Sequence, residues 1–149
     1  RIWYTEITLS ERMSHMTDRE LVERAFEMLA FSYVPYSKFP VGAALECRDG
    51  TVFTGCNVEN AAYGSTICAE RTALVKAVSE GHRDDLVRLA VVGNSKDYCW
   101  PCGACRQMLY EFEPNLTLLV ARGDHEFVRL PLAELMPHGF GPKDLEQIN

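Results

Sequence analysis

The sequence predicts an α/β fold: a three-layer α/β/α sandwich around a mixed five-stranded sheet. Three observations carry this. Helix-period stretches alternate with short strand-like runs along most of the chain. Asp49-Gly50 lies between two strand-like runs, a strong signal for an antiparallel hairpin. Leu86–Val92 and Leu116–Ala121 are nearly continuous apolar runs, as expected of strands covered on both faces.

The elements follow in order. Thr17 is the N-cap of a first helix over about residues 17–32, with Glu20 closing a capping box. Its apolar positions Leu21, Val22, Ala25, Phe26 and Leu29 form one buried stripe. Pro35 and Pro40 bracket an irregular segment. Val41–Cys47 and Thr51–Asn57 are the two arms of the hairpin. Residues 57–66 show no period and carry Gly64, so they form a loop. Cys68 opens a second helix whose apolar face is Ala69, Ala73, Leu74, Ala77 and Val78. Gly81 caps its C-terminus. After the strand Leu86–Val92, Pro101 sits in the first turn of a helix running from Cys102 to Phe112. Leu116–Ala121 is the next strand, Gly123-Asp124 a turn, and Glu126–Leu130 a weaker strand. Leu132–Leu135 forms a short helix, and the tail passes through Phe140-Gly141-Pro142.

Composition bounds the function. The chain has 149 residues, 47% of them apolar, enough for one domain with a real core. Its net charge is −6 and it has no basic cluster, which argues against nucleic acid as a partner. No apolar run reaches the roughly 18 residues of a membrane span. No secretory pattern is visible, so the expected location is cytoplasmic. Ser14-His15-Met16 resembles the scar of an expression vector. Residues 1–15 are therefore expected to be a tag or disordered extension, and 16–149 a single catalytic domain.

The chemistry concentrates in Cys68-Ala69-Glu70 and Pro101-Cys102-Gly103-Ala104-Cys105. In a cytosolic chain, a Cys-x-x-Cys pair signals metal or redox chemistry more than a disulfide. Cys102 and Cys105 share one face at a helix start, and Cys68 stands at the start of another helix. If the two helix ends converge, three sulfurs meet one zinc ion and leave its fourth position open, the pattern of a catalytic site. Two helix N-termini would offset part of the thiolate charge. Arg71 could offset more as a partner of a thiolate, or could lie on the exposed side of the helix. Glu70 at the helix entry can line the same cleft and carry protons. Cys99 precedes Pro101 in a loop and lacks a helix-start position, so it is rejected as a ligand. Cys47 and Cys56 read as buried strand thiols.

These motifs resemble the zinc-dependent cytidine deaminases of the small homotetrameric type. The resemblance runs from about Tyr33 to Leu145. It rests on Tyr36-Ser37-Lys38-Phe39-Pro40-Val41-Gly42-Ala43, Asn57-Val58-Glu59-Asn60-Ala61, Cys68-Ala69-Glu70-Arg71-Thr72-Ala73, Pro101 through Gln107, and Phe140-Gly141-Pro142. It implies one Zn2+ per subunit held by Cys68, Cys102 and Cys105, with Glu70 as the proton carrier. It also implies ribose contacts from Asn57 and Glu59, packing of Phe39 on the pyrimidine, and a base contact from the Ala69 backbone. Tyr63 would lie near the sugar. Phe140 would enter a neighbouring subunit's site in a homotetramer. The implied reaction is hydrolytic deamination of cytidine and 2′-deoxycytidine in pyrimidine salvage, acting on a small nucleoside and not on a polynucleotide or membrane.

Three other readings compete. A deaminase of blasticidin-S-type nucleoside antibiotics would share the zinc motifs, but Asn57-Val58-Glu59-Asn60 favours an ordinary ribose. A polynucleotide or nucleotide deaminase would need a basic channel or phosphate clamp. A non-catalytic structural zinc module would close the site with a fourth Cys or His. None of His15, His82, His125 and His138 has ligand spacing to the cysteines.

Overall fold

The structure, a computed structural model, describes residues 16–147. The expected tag or extension, residues 1–15, lies outside the described residues.

Thr17 caps helix α1 (Asp18–Glu27) through the capping box: Glu20 N–H donates to Thr17 Oγ1 at 3.1 Å and Thr17 N–H to Glu20 Oε2 at 2.9 Å. α1 is shorter than the apolar stripe suggests. From Met28 the chain tightens into a 3₁₀ turn, Met28–Phe31, which turns it toward the sheet. Strands β1 (Val41–Cys47) and β2 (Val52–Cys56) form the hairpin, and Gly50 takes the left-handed conformation at its turn (φ 89°). Helix α2 (Ala69–Ser79) follows, with Gly81 at φ 91° just past its C-cap. Then come β3 (Leu86–Gly93), α3 (Gly103–Phe112), β4 (Thr117–Ala121) and β5 (Phe127–Pro131).

Two expectations need correction. Cys102 is the N-cap of α3, so Pro101 lies just outside the helix instead of in its first turn. The tail also contains a short helix, α4 (Pro142–Glu146). Five residues are too few to show a helical period, but Pro142 at its start is a usable signal.

The strand order is β2-β1-β3-β4-β5. Only β3 and β4 run parallel, joined by the crossover that contains α3; the other pairs are antiparallel. This is the expected mixed sheet with two buried faces. On one, Leu21, Val22 and Ala25 of α1 pack on Ala44, Ala90, Val92, Leu119 and Ala121. On the other, Ala69, Ala73, Leu74 and Ala77 of α2 and Leu109 of α3 pack on Ala43, Leu45, Leu89, Val91, Leu118 and Val120. The alternation along β1 sends Ala43 and Ala44 to opposite faces, as the two-residue strand period requires.

The second face places the chemistry. Gly55 of β2 lies under the first turn of α2, where an added Cβ would sit 2.3 Å from the Ala69 carbonyl. Thr72 Oγ1 donates to the Cys56 carbonyl at 3.2 Å, tying the same turn to the strand. The start of α2 is therefore pinned close to the hairpin.

Candidate metal centre and active site

Cys68 and Cys102 are the N-caps of α2 and α3, and Cys105 lies three residues further on in the first turn of α3. Both N-caps have extended backbones and make no side-chain capping bond to their own helices. The crossover brings these ends together. The three sulfurs all lie within 4.8 Å of one another, and Cys68 Sγ is 3.8 Å from Cys102 Sγ. A tetrahedral zinc with Zn–S bonds of about 2.3 Å requires sulfurs about 3.8 Å apart. The donor set and its spacing therefore fit zinc without rearrangement of the backbone.

The electrostatics suit an anionic cluster. Arg71 Nη2 donates to Cys68 Sγ at 3.4 Å, so the guanidinium lies against the sulfurs and not on the exposed side of the helix. A hydrogen bond from the Cys105 thiol and the charge of Arg71 hold the Cys68 thiol down at about 5 against the cost of its burial. Acting as donor to that thiolate, together with burial, raises Cys105. Arg106 fixes the other half of the site, its Nε donating to the Pro101 carbonyl at 2.7 Å and its Nη1 to the Leu135 carbonyl at 3.2 Å.

Glu70 is in the first turn of α2 and only 4% exposed. Burial is the main cause that pushes its carboxyl up to about 7, with the Cys68 charge adding to it. A carboxyl poised there can take up and release protons near neutral pH.

Cys68, Glu70 and Cys102 line one cleft of about 150 Å³ with Phe39, Val41, Asn57, Cys99 and Trp100. Phe39 is 42% exposed, which sets it at the cleft wall and not in the core. Asn57 clamps the segment that carries Phe39: Val41 N–H donates to its Oδ1 at 2.9 Å, and its Nδ2 donates to the Phe39 carbonyl at 2.8 Å. One amide hydrogen of Asn57 remains for a ligand. Cys99 lines the cleft with its thiol pushed up to about 12 by burial, and it is not one of the three mutually close sulfurs.

The remaining expected residues are more dispersed. Ala69 is buried at the start of α2. Glu59 lines a neighbouring hollow of about 310 Å³ with Tyr36, Ser37, Tyr63 and Thr66. Its Oε1 accepts from the Tyr36 and Ser37 N–H groups at 3.0 and 3.1 Å, and the Ser37 side chain and these N–H groups hold its carboxyl below the ordinary value. Tyr63 packs edge-on to Tyr36 at 5.6 Å between ring centroids. Phe140 does not line the cleft of its own chain. It is 60% exposed, and its carbonyl accepts from Gln107 Nε2 at 2.9 Å. Sequence reasoning missed Trp100 as a cleft residue. Its position two residues before Cys102 was the available signal.

Comparison with known proteins places this geometry. The profile of the cytidine and deoxycytidylate deaminase zinc-binding region matches residues 15–120. The chain belongs to this deaminase family. It is 46% identical over 130 residues to a cytidine deaminase from Halalkalibacterium halodurans, covering 86% of this chain and 98% of that one. It is 50% identical over 117 residues to a cytidine deaminase from Sporosarcina psychrophila, covering 76% and 84% respectively. The crystal structure of a cytidine deaminase from Burkholderia pseudomallei superposes with a TM-score of 0.81 at 43% identity, covering 84% of this chain and all of that one. Membership of this zinc-binding family agrees with the three-sulfur geometry. No helix among the described residues is long and apolar enough to cross a membrane.

Proposed function

We propose that this deaminase converts cytidine and 2′-deoxycytidine to uridine and 2′-deoxyuridine with release of ammonia, in the pyrimidine salvage role of a cytoplasmic enzyme. The observation that carries the reading is the convergence of Cys68, Cys102 and Cys105 beside a buried carboxyl in one open cleft. Residues 16–149 form the catalytic domain. Cys68, Cys102 and Cys105 hold one zinc ion, which when bound acts as a Lewis acid and lowers the pKa of water to about 7. Arg71 stabilises the thiolate charge.

The base enters the cleft with its face against Phe39, and the backbone at Ala69 contacts its polar edge. Glu70 takes a proton from the attacking water and delivers it to N3 of the pyrimidine. With the water oxygen now bonded to C4, its remaining proton passes through Glu70 to the amine, the C4–N bond breaks, and ammonia leaves with C4 as a carbonyl. Burial of Glu70 serves both halves of this relay, because a group near neutral can accept and donate with little cost. Asn57 and Glu59 bind the ribose hydroxyls, and Tyr63 borders the sugar from the adjoining hollow.

Exchanging Glu70→Gln preserves shape while removing the proton carrier. Zinc content and fold are expected to persist, with ammonia release from cytidine falling at least about 100-fold. An E70Q enzyme of normal activity would refute the assignment. Phe140, exposed and remote from its own cleft, supports a homotetramer in which it reaches a neighbouring site. Sedimentation should read four chain masses; a fully active monomer excludes this arrangement.

A further inference from the structure

A second group of metal-ligating side chains lies at the opposite end of α2. Cys47 Sγ, a ring nitrogen of His82 and a carboxylate oxygen of Asp85 all lie within 4.8 Å of one another. The three come from different segments: the end of β1, the turn after α2, and the entry to β3. We infer that Cys47, His82 and Asp85 form a second, structural site for a borderline-soft divalent cation of the zinc type.

The surrounding structure is built to hold these groups. The β1–β3 register shifts between Glu46 and Cys47, while Cys47 stays on the same buried face as Ala43 and Leu45. Cys47 N–H donates to the Thr51 carbonyl at 2.8 Å, and Arg48 N–H to the Asp85 carbonyl at 2.8 Å, fixing two ligand backbones to each other. His82 N–H donates to the Ala77 carbonyl at 2.9 Å, anchoring the third to the end of α2. The imidazole packs on Phe53 with centroids 5.4 Å apart.

The two ring nitrogens have distinct roles. Nδ1 faces both carboxylate oxygens of Asp85, at 3.0 and 3.2 Å, sharing a proton whose place a cation can take. Nε2 stands 4.0 Å from Asp49 Oδ2. That is beyond hydrogen-bond range: the Asp85 hydrogen bond is the main cause that makes the imidazole more basic, and Asp49 adds to it through its charge. Burial and the neighbouring Asp85, Asp49 and Glu46 push the Cys47 thiol up to about 12, so a cation bound here displaces its proton; one sulfur, one imidazole and one carboxylate then suit zinc and disfavour magnesium or calcium, which prefer oxygen-only shells. The His82 side chain is 21% exposed, so water can supply a fourth ligand. Binding here closes the turn end of the hairpin onto the β3 entry, about a helix length from the deamination cleft.

The site adds a metal to the one in the proposed deaminase centre, and the two can be counted separately. The full-length chain is stripped with a chelator, dialysed against zinc, and assayed for zinc per chain and for thermal unfolding. Two zinc ions per chain are expected for the wild type, and one for C47S and for H82Q, with cytidine turnover per correctly folded chain unchanged. Asp49→Asn should weaken the second zinc roughly tenfold. Unfolding of the wild type should shift upward with zinc beyond saturation of the first site, and that second shift should vanish in H82Q. His82 lies outside the core, so H82Q carries the test if C47S does not fold. One zinc in the wild type, or two in H82Q, overturns the second site alone. A zinc-free wild type would instead also remove the basis of the proposed deaminase centre.

Discussion

Ala43 and Gly42 are adjacent in β1, yet they serve two differently built faces of the sheet. Toward α1, an added Cβ on Gly42 would lie 2.1 Å from the Ala25 carbonyl, so glycine lets that helix lie against the strand. Toward α2, Gly55, paired with Ala43 across the hairpin, does the same for the Ala69 turn at 2.3 Å. Both faces thus use a glycine to bring a helix backbone onto the sheet. The α1 face then closes. Its polar margin is an ion network in which Arg88 donates to Glu46 and Asp18, and Arg129 donates to Asp18. Charges buried there are paired with one another. The α2 face stays open at one end, where three sulfurs and a 4%-exposed carboxyl converge without an equal number of cations. The same packing device gives stability on one face and a reactive centre on the other.

The comparison can be broken in order of expected effect. Cys102→Ser removes an exposed ligand without touching the core, so the cleft zinc and deamination should both be lost while circular dichroism stays native. Retained zinc at one ion in the cleft would contradict the three-sulfur assignment. Gly55→Ala should cost about 1–3 kcal/mol of stability and weaken zinc as well, because the displaced turn carries Cys68 and Glu70. Gly42→Ala should cost a similar amount but leave zinc affinity and turnover per folded chain intact. Equal losses of zinc affinity in both variants would show that the faces are not separable. The smallest effect belongs to the α1 margin. Burial alone would raise Asp18, but the hydrogen bonds from Arg129 and Arg88 outweigh it and hold its carboxyl below the ordinary 3.8. A depressed carboxyl stabilises the fold above that value and loses its contribution as the pH falls through the lower, folded one. Asp18→Asn should therefore cost about 1 kcal/mol at neutral pH. The gap should narrow below pH 4 in urea unfolding, and a pH-independent gap would rule out the charge as its cause.

The local chemistry of this chain could be read directly. Thr17 and Glu20 specify their capping box because the partners are three residues apart. Val41–Cys47 reads as a strand from its composition and the following Asp49-Gly50 turn. Cys68, Glu70, Cys102 and Cys105 announce a metal and a proton carrier because few other roles need those groups at helix starts. The end of α1 was less legible, since its apolar stripe continues through the 3₁₀ turn, and α4 was too short to have a period.

Separation along the chain is what sequence alone could not resolve. Local spacing left Arg71 equally suited to solvent or to a sulfur; in the fold its guanidinium lies back along the start of α2, against Cys68 Sγ and the Thr66 carbonyl. Asn57 and Glu59 are two residues apart, yet a strand end points them into different hollows. Trp100 became a cleft residue through the position of the loop. Cys47 reads from the sequence as a buried strand thiol and His82 has no ligand spacing to the cysteines, yet the end of β1, the turn after α2 and the entry to β3 bring both together with Asp85. Hydrogen-bond periods and side-chain types act over a few residues and are written in the sequence, whereas convergence of distant segments depends on how the sheet orders its strands, which the whole fold decides.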